Sequence, residues 1–128
     1  MKTANDPRHL HRIKAFKQIF THAFLGEHSP DNDLAIGTLA ILEEIDPVVT
    51  KSAPEWPLSQ INRVDLAVLR LAIYELLKRP QIPSKVIIDE AVEIGKRYGG
   101  TSSGSFVNGA LASALKITRP HESQSNQT

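Results

Sequence analysis

Residues 64–77 read VDLAVLRLAIYELL. Val64, Leu66, Ala67, Val68, Leu69, Leu71, Ala72, Ile73, Leu76 and Leu77 cover almost the whole circumference of a helical wheel. A helix apolar nearly all round belongs at the centre of a core. The segment is expected to run from Arg63 to Arg79, with Pro80 and Pro83 ending it and fixing the next corner. Arg70 and Glu75 ride on this helix, so each needs a charge partner, and structural ion pairs are the expectation.

The flanking segments read as helices too. Asp6 followed by Pro7 is an N-cap and first-turn pair, opening an amphipathic helix to Phe24. Ile13, Phe16, Phe20, Ala23 and Phe24 fall on its apolar arc, while Arg8, His11, Arg12, Ala15, Gln18 and His22 fall on the opposite one. Gly26–Pro30 reads as a turn. A second helix is expected from Asp31 through Ile45, kinked or capped at Asp46-Pro47. The stretch 53–57, APEWP, reads as a rigid corner whose lone Trp56 plugs the core, followed by one helical turn within Pro57–Ile61. Ser84 is placed to cap a helix to Tyr98, with Val86 and Ile87 inward and Gly99-Gly100 as a left-handed stop. Ser102 or Ser103 caps a last helix to about Ile117, and a polar, disordered tail is expected over 120–128. The fold class is all-α.

The chain's 128 residues suit a single domain, expected over 1–119. Without cysteine there is no disulfide framework and no thiolate metal site. No apolar run is long enough to span a membrane, and no secretory signal is evident, so a cytoplasmic protein is expected. The net charge of +1 hides an uneven distribution. Residues 1–25 carry Lys2, Arg8, Arg12, Lys14 and Lys17 against Asp6, whereas residues 26–56 carry seven acids against Lys51. Such asymmetry suits one end that faces a polyanion, or ordinary surface fluctuation.

Catalytic constellations are thin, and no catalytic residue, cofactor or metal site is expected. Asp89, Glu90 and Glu93 have Lys85, Lys96 and Arg97 at helix-neighbour spacing, which reads as a solvated, salt-bridged face. His9-x-His11 is too poor in further ligands for a metal site. The stretch 99–105, GGTSSGS, precedes a helix and offers backbone N–H groups, yet lacks the Gly-Lys-Ser/Thr ending of a nucleotide-binding loop. It reads as capping, or as a contact to a nucleic-acid phosphate or base. Phe106 is a core residue, or, if exposed, an aromatic that stacks on an unpaired base. Arg8, His11 and Arg12 on the outer face of the first helix make a candidate RNA surface.

Three motifs in order, VDLAVLRLAIYELL (64–77), IPSKVIIDEAVEIGKRYGG (82–100) and FVNGAL (106–111), resemble the C-terminal half of the NusB family of bacterial transcription antitermination factors. The resemblance is close from Trp56 to Leu115. It implies a compact bundle of six to seven helices in two small subdomains, here a shortened 1–55 and 56–119. It also implies a non-catalytic protein that binds boxA RNA of nascent ribosomal RNA transcripts. The family does so together with the ribosomal protein NusE, within an RNA polymerase antitermination complex. The positions that would touch RNA are Arg8, Arg12, the turn Ser102, Ser103 and Gly104, and Phe106; those that would touch NusE are Phe20 and Asp65. This chain departs from the family in its sparser N-terminal arginines, in Ser102 where an acid is usual, and in Phe20 where a tyrosine is usual. The alternative is a protein-interaction scaffold of the same fold without boxA recognition.

Overall fold

The computed structural model describes residues 6–26 and 29–125. Lys2, the middle of the turn at Gly26–Pro30 and the last three residues of the expected tail lie outside them. Seven α-helices follow in order: α1 (Pro7–Leu25), α2 (Asp33–Ala40), α3 (Leu42–Ser52), α4 (Arg63–Lys78), α5 (Ser84–Tyr98), α6 (Ser103–Thr118) and α7 (Pro120–Ser125). A single 3-10 turn, Leu58–Gln60, stands between α3 and α4. The described chain is all-α, as the periodicity demands.

The helix starts follow from local chemistry. The Asp6 carboxylate accepts from the Arg8 backbone N–H with Pro7 in the first turn. Asn32 and Asn62 cap α2 and α4, each side-chain oxygen accepting from two backbone N–H groups of the first turn. Gly26 closes α1 at φ 72°, a conformation costly for any residue with a Cβ.

α4 is the central element. It packs against α1, α2, α3, α5 and α6. Leu69, Ile73 and Leu76 on it are fully buried, each contributing about 1.5–3 kcal/mol of transfer free energy. They join Ile13, Phe16 and Ile19 of α1, Ile45 and Val49 of α3, Ile87 and Ile94 of α5, and Val107 and Leu111 of α6 in one continuous cluster. α5 and α6 form a helical hairpin across the short loop 99–102.

Several elements depart from the sequence reading. The helix expected over 31–45 is two helices, broken at Ile41 rather than at Asp46-Pro47. Pro47 lies inside α3 on its exposed side. Glu43, whose carbonyl loses its i+4 donor to the proline, is likewise an exposed residue. Trp56 does not plug the core: it is 47% exposed, and Ala53 and Ile61 supply the buried apolar atoms of that corner. Val86 faces outward. Gly99 ends α5 at φ −97°, outside the left-handed region. A Cβ there would lie 2.7 Å from the Gly95 carbonyl oxygen, so close approach explains this glycine.

The expected disordered tail instead forms α7 through Ser125. Glu122 accepts hydrogen bonds from the Ser84 hydroxyl and the Arg119 guanidinium. Ser84 therefore serves α7, while Pro83 holds the N-cap position of α5. Arg119 itself donates to the backbone carbonyls of Glu75, Leu76, Arg79 and Ile82, closing the C-terminal end of α4.

Candidate nucleic-acid interface

The N-terminal turns of α1 carry both exposed and buried polar groups. Arg8 is 85% exposed, its guanidinium 3.2 Å from Asp6. Arg12, expected on the outer face, is 7% exposed. Its Nε and Nη2 each donate to Glu75 at 2.9 Å, a bidentate pair, and Nη1 stands 3.5 Å from Glu90 Oε1. Burial by itself lowers the Arg12 pKa, but the hydrogen bonds and charges of Glu75 and Glu90 outweigh it and the net shift is upward. Ala15 is likewise buried rather than outward. The neighbouring His9 is buried too, with Nδ1 donating to Glu90 at 3.1 Å.

Glu90 therefore does not belong to a solvated face. Lys85 and Asp89 do pair at 3.2 Å with the expected spacing. Glu75 meets Arg12, and Arg70 forms a bidentate pair with Asp46 at 2.9 Å for both contacts, so Arg70 and Glu75 of the central helix are held in ion pairs. His11 is half-exposed and tied to Asp33 of α2, which Arg79 also reaches. The His11 hydrogen bond, helped by Arg79, holds the Asp33 carboxyl below the usual range.

The second candidate segment is the start of α6. Thr101, Ser102 and Ser105 are exposed, and the Ser105 hydroxyl donates to the Ser102 carbonyl. Ser103 and Gly104 are buried. The Ser103 Oγ accepts from the Gly100 N–H at 2.9 Å, pinning the loop. The stem of Lys96 lies across Gly104, where a Cβ would be 2.8 Å from Lys96 Cγ. Phe106 is partly buried against the core. Of the four expected contact residues here, Ser102 is exposed and Phe106 partly so.

An aromatic ladder joins the later turns of α1 to the end of α5. Phe16 stacks on Tyr98 at 5.3 Å between ring centres, and Phe20 bridges Phe16 and Phe24. Lys17 and Arg97 lie over the Tyr98 ring at 5.5 and 5.3 Å. The pairs His9–Glu90 and Phe16–Tyr98 rise together, so α1 and α5 run parallel along their seam. Lys96, Arg97 and Tyr98 were missed as a group in the sequence, where the two cations were assigned to Glu93. The available signal was a basic pair beside an aromatic at a helix end, directly before a Gly-rich loop.

Of the expected partner contacts, Phe20 is partly buried within the ladder, whose outer ring Phe24 carries Arg63 at 4.4 Å. Asp65 is buried at the start of α4, its Oδ1 without a hydrogen-bond partner. Burial pushes its carboxyl above the usual carboxylate range, and the Ser103 hydroxyl pulls it partly back. The start of α4 and the start of α6 are thus neighbours.

These features define a class: an all-helical protein built round one buried helix whose Arg70 and Glu75 are held in ion pairs. A profile of the NusB family matches residues 27–116, and the chain belongs to that family. It is 49% identical over 85 residues to the transcription antitermination protein NusB of Acetivibrio thermocellus, a match covering 66% of this chain. It is 49% identical over 88 residues to that of Syntrophotalea carbinolica, covering 69% of this chain. The chain spans 59% and 56% of the length of these two relatives. The solved structure of T. maritima NusB superimposes with a TM-score of 0.84 at 36% identity, covering 98% of this chain and 99% of that one. No helix among the described residues is long and apolar enough to cross a membrane.

Proposed function

We infer that this chain is a cytoplasmic, RNA-binding transcription antitermination factor that binds boxA RNA of ribosomal RNA operon transcripts together with NusE. In this reading the pair joins an RNA polymerase antitermination complex. The observation that carries it is the α6 start: an exposed Thr101, Ser102 and Ser105 turn with Lys96 laid against it and Arg97 one residue on. Hydroxyls, backbone N–H groups at a helix start and flexible cations suit phosphates and unpaired bases. Arg8 supplies a further exposed cation at the start of α1. Arg12 supports the surface from inside by fixing α1 on Glu75, and Ser103 and Gly104 shape the turn. Phe106 borders the turn, His11 belongs to the α1 part of the surface, and the Phe20, Phe24 and Arg63 patch beside Asp65 suits NusE.

The test is binding of boxA RNA and a scrambled control, with and without NusE, across a salt series. The expected outcome is boxA-selective binding that tightens with NusE. Arg8→Ala or Lys96→Ala should each flatten the log–log salt slope by about 0.7, the value for one single-strand phosphate contact. The burial of Arg12 reduces the exposed basic surface and favours a second reading, a protein-interaction scaffold. NusE binding without RNA preference would establish that reading instead.

A further inference from the structure

We propose that His9, Glu90 and Glu93 bind one divalent transition-metal ion of the zinc class, clamping α1 to α5. The site is independent of the RNA reading. One nitrogen of His9 and one carboxylate oxygen from each glutamate lie within 4.8 Å of one another. Glu90 and Glu93 are three residues apart on α5 and project to one side, while His9 reaches them from α1, 81 positions away in sequence. Two of the three are buried, which separates the group from an ordinary acidic surface patch.

The geometry is close to that of a bound site. His9 Nδ1 sits 3.1 and 3.3 Å from the two oxygens of Glu90. Ligand bonds of about 2.0–2.2 Å place two donors on one ion roughly 3–4.4 Å apart. His9 and Glu90 already satisfy that spacing, and the exposed Glu93 closes the remainder by a side-chain rotation. As the metal enters, the proton on Nδ1 passes to solvent and Nε2 carries the ring's one proton, so the ligand is neutral imidazole.

The surrounding shell suits a bound cation. Arg12 Nη1, 3.5 Å from Glu90 Oε1, orients that carboxylate from behind and is itself fixed by Glu75. Carboxylate ligands are held by such outer partners in established metal sites. One imidazole and two carboxylates suit zinc, cobalt or nickel better than magnesium, which prefers oxygen alone. Solvent at Glu93 supplies the open coordination position.

The experiment is titration of the full chain with zinc against a chromophoric chelator, with cobalt as a spectroscopic probe and magnesium as the hard-cation control. One zinc per chain is expected, with a tetrahedral cobalt spectrum and no comparable response to magnesium. Glu93→Gln, at a solvent-facing position, should weaken zinc at least tenfold while leaving the metal-free circular dichroism unchanged. His9→Gln should remove binding. Failure to draw zinc from the chelator at micromolar concentration would overturn the proposal. So would wild-type affinity in Glu93→Gln, which places the ion on other histidines. Should His9→Gln fail to fold, Glu93→Gln alone decides.

Discussion

Arg8 and Arg12 are both arginines of the same helix, yet their removal does different things. Arg12→Ala would strand the buried Glu75 carboxylate, and breaking such a pair costs about 3–5 kcal/mol. Urea denaturation should register that loss, whereas Arg8→Ala should leave the midpoint unchanged and weaken only RNA. An Arg12→Ala chain with wild-type stability would contradict the buried pair. Asp65 gives a second test. Its carboxyl is raised by burial, so the folded state holds the proton more tightly than the unfolded chain does. Stability therefore falls as pH rises from the ordinary carboxylate value of about 3.9 through the folded pKa. Asp65→Asn should raise the melting temperature at pH 7 and lose that advantage near pH 3. At this scale the sequence misleads for a physical reason. Periodicity equates polarity with exposure, and Arg12 breaks that rule because its neutralising partner lies 63 positions away, beyond any local window.

Among the elements, α4 was readable because its apolar residues leave no face for water. The α2–α3 break was not, since Ile41 carries no turn chemistry and the conspicuous proline sits six residues later on an exposed surface. The junction of α5 and α6 offers a paired prediction from its glycines. A Cβ at Gly99 would press on the Gly95 backbone carbonyl and on the Ser103 side chain, neither able to retreat far. A Cβ at Gly104 meets only the flexible stem of Lys96. Gly99→Ala should cost about 1–3 kcal/mol by overpacking, and Gly104→Ala clearly less. Thermal melts of both variants check the order, and Gly104→Ala should affect RNA binding more than folding because it displaces Lys96. The Gly-rich stretch advertised a special loop in the sequence; which glycine served which contact depended on the path of Ser103 and Lys96.

For the whole molecule, one core running from α1 to α6 predicts a single cooperative transition. Trp56 fluorescence from the corner before α4 and far-ultraviolet circular dichroism should give the same midpoint; separate midpoints would divide the core. Among the contacts that fasten distant parts of the chain are Arg12 to Glu75, His9 to Glu90, and Arg119 to the carbonyl end of α4. The last of these carries a consequence for synthesis. A ribosome delivers the chain from its N-terminal end, and α4 has fully emerged some forty residues before Arg119 does. Until then the carbonyls that end α4 depend on water, so the core helix of a nascent chain stays frayed at one end. The native state becomes available only once Arg119 has left the exit tunnel and can reach those carbonyls.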